Sequence, residues 1–186
     1  MCAAASTPAL KEWSAVVHAL LAGRQSILLR KGGIHEKRFA VAADDFLLFP
    51  TIAHSHAERV RPEHRDLLGA AAADCEDDRV LVRAAARVVA ALAVNRPDGL
   101  AAIEDLHIWT GESVRADRLD FRPKHRLAVL VVQAVPLVEP VWLTRAPAYA
   151  GCKSWLQVPI PRKQSAPVYD DRTLGKVAAR VRAAVG

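Results

Sequence analysis

The sequence is poor in cysteine and has no paired cysteine motif. Cys2, Cys75 and Cys152 are odd in number and widely separated, and no Cys-x-x-Cys pair occurs. An odd number of widely separated cysteines argues against a disulfide framework. Without a Cys-x-x-Cys pair, the sequence also lacks the cysteine spacing that is typical of a zinc site. We therefore predict a reduced, cytoplasmic environment.

Long hydrophobic runs and glycine-rich phosphate motifs are also missing. Arg87, Asn95 and Gln133 interrupt the most apolar stretches, so none reaches the roughly 18 residues that a membrane span requires. The N-terminus lacks a basic region followed by an apolar one, so we expect no signal peptide and no membrane partner. The patterns G-x-x-x-x-G-K-[ST] and G-x-G-x-x-G are absent, which removes the strongest sequence signs of a nucleotide site.

Arginine and alanine are abundant instead, a composition typical of a GC-rich bacterial genome. The net charge is +6 and the isoelectric point is about 9.6. This excess of positive charge favours an acidic partner such as nucleic acid, although a high net charge also increases solubility. The hydrophobic fraction of 52% in 186 residues is enough for one globular domain with its own core.

Hydrophobic periodicity predicts an α+β fold. Thr7 and Pro8 are typical of a helix start, and we predict a helix from there to Gly23. We predict further helices over 62–73, 98–106 and 174–185, and strands over 26–30, 39–42, 46–49, 127–135, 141–144 and 155–158, with "HIWT" as a strand or strand edge.

The segment 80–94 fits both a helix and a strand. Val80, Val82 and Val88 favour a strand, whereas Arg83 and Arg87 recur at helical spacing. We interpret it as a long bent strand because β-branched residues pack well on a sheet. The predicted architecture is a single α+β domain over 1–158, with a mixed, partly closed β-sheet or small barrel flanked by helices. Residues 159–186 are predicted to form a Pro-rich, basic linker and a C-terminal amphipathic helix.

Four stretches carry candidate functional residues. In "LLRKGGIHEKRF", two cations and two glycines follow an apolar strand, a pattern that can bind an anion or simply form a turn. We interpret it as a strand–turn–strand whose turn faces the functional site. His35 and Glu36 would make an acid–base pair, but neighbours in a strand point to opposite faces. The candidates here are Arg30, Lys31, Gly32, Gly33, His35 and Glu36.

The second stretch is "FPTIAHSHAERVRPEH". In an extended chain His54 and His56 lie on one side, as two metal ligands should. Thr51 follows Pro50 and would cap the next turn. The simpler interpretation is that His54 and His56 are surface residues without a metal. A third ligand would have to come from His35, Glu36, Glu58 or His107.

The remaining stretches are "DLHIWT" and "GCKSW". His107 and Trp109 would share one face of an extended segment, where Trp109 would stack on a base or else belong to the core. Lys153 and Ser154 can donate to an oxyanion. Cys152 as a nucleophile has only Lys153 to lower its pKa, so a loop that closes the sheet is the better interpretation.

The stretches "EWSAVVHALLAGRQSILLRKGGIHE", "FLLFPTIAHSH", "LHIWT" and "GCKSW" occur here in the order seen in a bacterial family, domain of unknown function 1802. The chain resembles this family from about Glu12 to Val158. The resemblance identifies these stretches as family hallmarks. It implies no activity, cofactor or functional residue.

Three functions fit these observations. The first is a module that binds nucleic acid or another phosphate-containing, anionic ligand. A small barrel would also be similar to the base-binding PUA and ASCH domains, an analogy of fold alone. The second is a metal-dependent phosphodiesterase or nuclease, weakened because the hallmark stretches have few of the carboxylates that Mg²⁺ prefers. The third is a small-molecule binding or interaction protein. Whether the chain is an enzyme stays open.

Overall fold

A six-stranded mixed sheet organises the molecule. The computed structural model describes residues 6–32, 38–53, 55–161 and 163–186. The strands are β1 (Thr7–Trp13), β2 (Ile27–Lys31), β3 (Asp45–Thr51), β4 (Arg79–Ala93), β5 (Leu127–Thr144) and β6 (Trp155–Val158). Their order is β2-β5-β4-β3-β1-β6. Only β1 and β3 pair in parallel among the described strands, and the other neighbours are antiparallel.

The helices are short, apart from the last one. They are α1 (Ser14–Leu21), α2 (His56–Arg59), α3 (Leu67–Ala73), α4 (Gly111–Val114) and α5 (Asp171–Val185). Three 3₁₀ segments cover Pro62–His64, Pro97–Leu106 and Pro147–Tyr149, and a π-helical segment, Arg115–Asp120, follows α4 directly. The predicted α+β class is confirmed. The sheet is open, because its edge strands β2 and β6 are not paired with each other in the described ranges.

The strand interpretation of 80–94 is confirmed by β4. This strand pairs with β5 along most of its length, with register shifts between Val82 and Ala84 and between Val88 and Ala90. Such irregularities bend a strand and increase its twist. The arginines gave an ambiguous signal because a spacing of four is compatible with a strand period of two as well as with a helix.

The core lies mainly between the sheet and helices α1, α3 and α5. The amphipathic C-terminal helix was predicted correctly: Leu174, Ala178, Val181 and Val185 of α5 are buried in the same cluster as α1. Burial of a leucine or valine side chain contributes about 1.5–3 kcal/mol, and burial of Ala178 contributes less. The predicted boundary at residue 158 stays a prediction.

The predicted helix from Thr7 is wrong in its first half. Residues Thr7–Trp13 form β1, and the helix begins only at Ser14. β1 lies between β3 and β6 and forms ladders with both. These non-local hydrogen bonds outweigh the local helix-start signal.

Six other predicted elements differ from the structure. Residues 39–42 form no strand, 46–49 extends through Pro50 to Thr51, and 62–73 divides into a 3₁₀ turn and α3. Residues 127–135 and 141–144 are one strand, β5, and "HIWT" contributes only an isolated bridge between Trp109 and Val60. Pro50 is tolerated near the end of its strand, where the hydroxyl of Thr51 donates to the carbonyl of Glu12 at 3.1 Å.

The described residues contain no helix with both the length and the hydrophobicity of a membrane span. The predicted cytoplasmic location stays a prediction.

The close contact between the segment Pro97–Leu106 and α5 gives a stability test. A Cβ built on Gly99 would lie 1.9 Å from the carbonyl oxygen of Ala184. We expect Gly99→Ala to lower the free energy of unfolding by about 1–3 kcal/mol, since the clash is with backbone. Urea denaturation measures this.

Gly175→Ala is the matched control. Gly175 lies in α5 with nothing within 4 Å of a built Cβ, so this change should raise the free energy of unfolding by about 1 kcal/mol. Equal effects of the two substitutions would show that α5 does not pack as described.

Candidate functional site

The parallel strands β1 and β3 end side by side, and a buried carboxylate marks this edge. Glu12 is 4% exposed. Its Oε1 accepts the N–H of Trp13 at 2.9 Å, and its Oε2 lies 3.1 Å from Nη1 of Arg30 on β2. The same Nη1 donates to the carbonyl of Lys11 at 3.0 Å, and the guanidinium lies 5.0 Å from the ring centre of Phe39. Arg30 is therefore held by contacts on several sides.

A second ion pair lies beside the first. Nε of Arg59, at the end of α2, is 2.8 Å from Oδ2 of Asp117 in the π-helical segment. Arg59 also donates to Oγ of Ser55 at 2.6 Å and lies 5.5 Å from the ring centre of Trp13. This pair joins α2 to the π-helical segment.

Arg118 follows Asp117, and its side chain has no hydrogen-bond or ion-pair partner within the described residues. Burial lowers the pKa of its guanidinium, Glu12 and Asp117 oppose that shift, and Arg30 and Arg59 add to it. Three guanidinium groups thus share one region with two carboxylates, and both carboxylates are paired with the other two arginines. We call Arg30, Arg59 and Arg118, with Glu12 and Asp117, the arginine cluster.

Lys31 and Gly32 position the segment that carries Arg118. The ammonium group of Lys31 donates to the carbonyl of Arg118 at 2.8 Å and also to that of Phe121. Burial lowers the pKa of Lys31, and the nearby Arg118 and Arg122 lower it further. Nδ1 of His125 lies 3.2 Å from the carbonyl of Gly32. These contacts tie the end of β2 to residues 118–125.

An aromatic group forms one wall of the cluster. The ring of Trp13 lies 4.0 Å from His56 and 4.8 Å, edge-on, from Trp109. Trp109 is 5% exposed. Burial, reinforced by Arg59, lowers the pKa of His56 to about 4, so its ring is neutral near pH 7. Its buried Nε2 has no hydrogen-bond partner among the described residues.

The cleft between these groups is shallow. Its walls come from the aromatic pair Trp13 and Trp109, the ion pair Arg59 and Asp117, and the side chain of Arg118. Its cavity volume is about 10 Å³, so it accommodates little more than one water or oxygen atom. A larger ligand would lie across the mouth of the cleft and insert one atom.

The structure brings together only some of the predicted site residues. Arg30, Lys31, Gly32, Thr51, His56 and Trp109 lie in or next to the arginine cluster. Lys153 and Ser154 do not: they lie beside Lys11, whose N–H donates to the carbonyl of Ser154 at 2.8 Å. His107 lines a different cavity. Gly33, His35, Glu36 and His54 lie outside the described residues, and their roles stay predictions.

Sequence analysis missed five residues of this region. Glu12 and Trp13 were assigned to a helix, and Arg59, Asp117 and Arg118 lie outside the predicted sites. The available signal was the concentration of basic residues between Arg115 and Arg126. It lies outside the four hallmark stretches, so no motif drew attention to it.

A metal centre has no support in the described part of the chain. No group of three or more His, Cys, Asp or Glu residues there could hold an ion. His56 packs against Trp13 instead. The pairing of His54 with His56 as ligands stays a prediction because His54 lies outside the described ranges.

Comparison with known proteins identifies the family of this chain. The model of the family described as Domain of unknown function (DUF1802) matches residues 9–180. The chain belongs to this family. No curated protein matches it.

Among solved structures, a mutant of the ASCH protein from Zymomonas mobilis is similar to this DUF1802 chain. The match has 12% identity and a TM-score of 0.42, and it covers 92% of this chain and 94% of that chain. A similarity this loose supports no conclusion about fold or function.

The buried histidines make stability depend on pH. The pKa values of His56 and His107 are lowered from 6.5 to about 4, mainly by burial. Between pH 6.5 and 4 the unfolded chain binds protons that the folded chain does not. Each histidine therefore lowers the free energy of unfolding by about 1.4 kcal/mol per pH unit as pH falls through this window.

His56→Phe should remove one of these two contributions and keep an aromatic ring against Trp13. Urea denaturation between pH 6.5 and 4.5 should show a slope smaller by about 1.4 kcal/mol per pH unit than that of the original chain. Between pH 7 and 8 the two curves should run parallel. An unchanged slope at low pH would mean that His56 is not buried as described.

Proposed function

We propose that the chain binds the phosphate backbone of a nucleic acid at the arginine cluster. The observation that carries this proposal is the guanidinium of Arg118, which has no partner among the described residues and lies near two arginines whose carboxylates are already used. A partly buried cation without a nearby anion lowers the stability of the fold, and a bound anion removes this destabilisation. A phosphate oxygen is the natural complement, because a guanidinium presents parallel N–H donors that match it.

Lys31 adds to the positive excess at the site. Its ammonium group contacts two backbone carbonyls, not a carboxylate, so its charge is not neutralised by those contacts. Two cations of the region, Lys31 and Arg118, therefore lack a carboxylate bound directly to them among the described residues. The chain as a whole carries +6, and this broader field raises the rate at which a polyanion is captured.

The shape of the cleft favours a phosphate backbone over a small buried ligand. A cavity of about 10 Å³ admits one oxygen, while the rest of the anion stays at the surface. His56, Trp109 and Arg59 already contact the ring of Trp13, and Trp109 is buried. These rings have little free face for stacking on a base, so the expected contacts are electrostatic and independent of sequence.

Arg118→Ala tests the proposal by fluorescence anisotropy with labelled single- and double-stranded oligonucleotides, both RNA and DNA. The matched control is Arg172→Ala, which removes the same charge from an exposed position at the start of α5. We expect Arg118→Ala to weaken binding about 10- to 100-fold, the effect of losing a charged hydrogen bond. Arg172→Ala should weaken it less than about threefold, the effect of a screened surface charge.

Salt dependence separates a site from general charge. For one lost phosphate contact, the slope of log K against log salt should become shallower by about 0.7–0.9 in Arg118→Ala. The slope should stay the same in Arg172→Ala. Equal losses of affinity in the two variants would contradict the proposal and make the net charge the sole cause of binding.

A further inference from the structure

A second cavity also borders α4 and is much larger than the cleft. It has a volume of about 370 Å³ and lies between the segment Pro97–Leu106 and the start of the π-helical segment. Leu100, Val114 and Leu119 supply its apolar walls, and Gly111 and His107 also line it. The volume falls within the range of about 300–1,000 Å³ that is typical of small-molecule sites.

His107 supplies one buried polar group to this cavity. The residue is 2% exposed, and its Nδ1 accepts the N–H of Trp109 at 3.1 Å. Nδ1 is therefore unprotonated, and the proton of the neutral ring is on Nε2. Nε2 has no hydrogen-bond partner among the described residues. Burial lowers the pKa of His107 to about 4, which keeps the ring neutral near pH 7.

The charges around the cavity differ from those of the arginine cluster. Asp98 and Glu104 contribute two carboxylates, and Arg115 contributes one guanidinium. The acidic lining disfavours an anion. At the base, the neutral Nε2–H and the nearby Arg61, whose charge helps to lower the pKa of His107, disfavour a cation. An uncharged ligand with an apolar body and one hydrogen-bond acceptor satisfies both conditions.

We propose that this cavity binds a small, uncharged ring compound whose carbonyl oxygen or ring nitrogen accepts a hydrogen bond from Nε2–H of His107. The site is independent of the proposed nucleic-acid function. It shares the wall residue Val114 with the cleft, but the groups that would recognise each ligand are different.

Four probes of similar size test the chemistry. Benzamide is neutral and has a carbonyl acceptor, toluene lacks an acceptor, benzoate is anionic and benzylamine is cationic. Ligand-observed NMR at millimolar concentrations measures affinity, and ¹⁵N spectra of the histidine rings report on Nε2 of His107. We expect benzamide to bind about tenfold more tightly than toluene, the effect of one buried hydrogen bond. It should also shift Nε2, and the two ions should bind more weakly than benzamide.

His107→Asn withdraws the donor from the position of Nε2 and keeps the local turn, because the shorter Asn side chain ends near the position of Nδ1 and its N–H groups do not reach as far. The Asn side-chain oxygen can still accept the N–H of Trp109, as Asn commonly does two residues along the chain. In this variant the affinity for benzamide should fall about tenfold to that of toluene, and the affinity for toluene should not change.

Gly111→Leu is a second variant that leaves every polar group in place. A Cβ at Gly111 meets nothing within 4 Å, so a leucine there can extend into the cavity without a backbone clash. It should abolish binding of benzamide and toluene and leave oligonucleotide binding unchanged. The proposal is overturned if benzamide does not bind the original chain, or if its binding survives Gly111→Leu. It is also overturned if a folded His107→Asn variant keeps the preference for benzamide over toluene. If that variant does not fold, the effect of Gly111→Leu on binding and the shift of Nε2 in the original chain test the proposal instead.

Discussion

The buried carboxylate of Glu12 is the constraint on which this edge of the molecule depends. A carboxylate that is 4% exposed is tolerated only when it is paired and hydrogen-bonded. Glu12 is both, through Arg30 and through the N–H of Trp13. Losing one partner of such a pair costs about 3–5 kcal/mol, so β1, β2 and the start of α1 are held in a fixed relation. Arg118 lies in the field of this carboxylate without being bonded to it.

Lys31 shows how a residue with a binding pattern can serve to position another. Its sequence context, two cations before two glycines, predicts direct contact with an anion. In the structure its ammonium group holds the carbonyls of Arg118 and Phe121. The same charge still contributes to the positive potential around Arg118, because a backbone carbonyl does not neutralise it. Anchoring and attraction of an anion are therefore compatible in one side chain.

The sequence was sufficient for the fold class and for the elements with clear periodicity. β6 and α5 lie where their patterns indicate, and the β-branched residues identified β4. The prediction for the start of the chain was wrong because Thr7–Trp13 carries a helix-start signal and apolar residues at helical spacing. The segment forms a strand instead because it makes hydrogen-bond ladders with β3 and β6. Local pattern cannot report such pairing. The arginine cluster was missed for a related reason: Glu12, Arg59 and Arg118 are distant in sequence and converge only when β1 and β3 end together.

The π-helical segment explains why two cavities of different character lie so close together. π-helices are rare and occur often at functional sites, because the wide turn changes the direction of successive side chains. Here Arg115 lines the cavity beside His107, whereas Arg118 lines the cleft beside Trp13. The segment between them is joined to its surroundings by the pair of Arg59 with Asp117 and by the ammonium group of Lys31. The same few contacts therefore set the geometry of both cavities, and an acidic rim can lie next to a basic cleft because one short segment separates their charges.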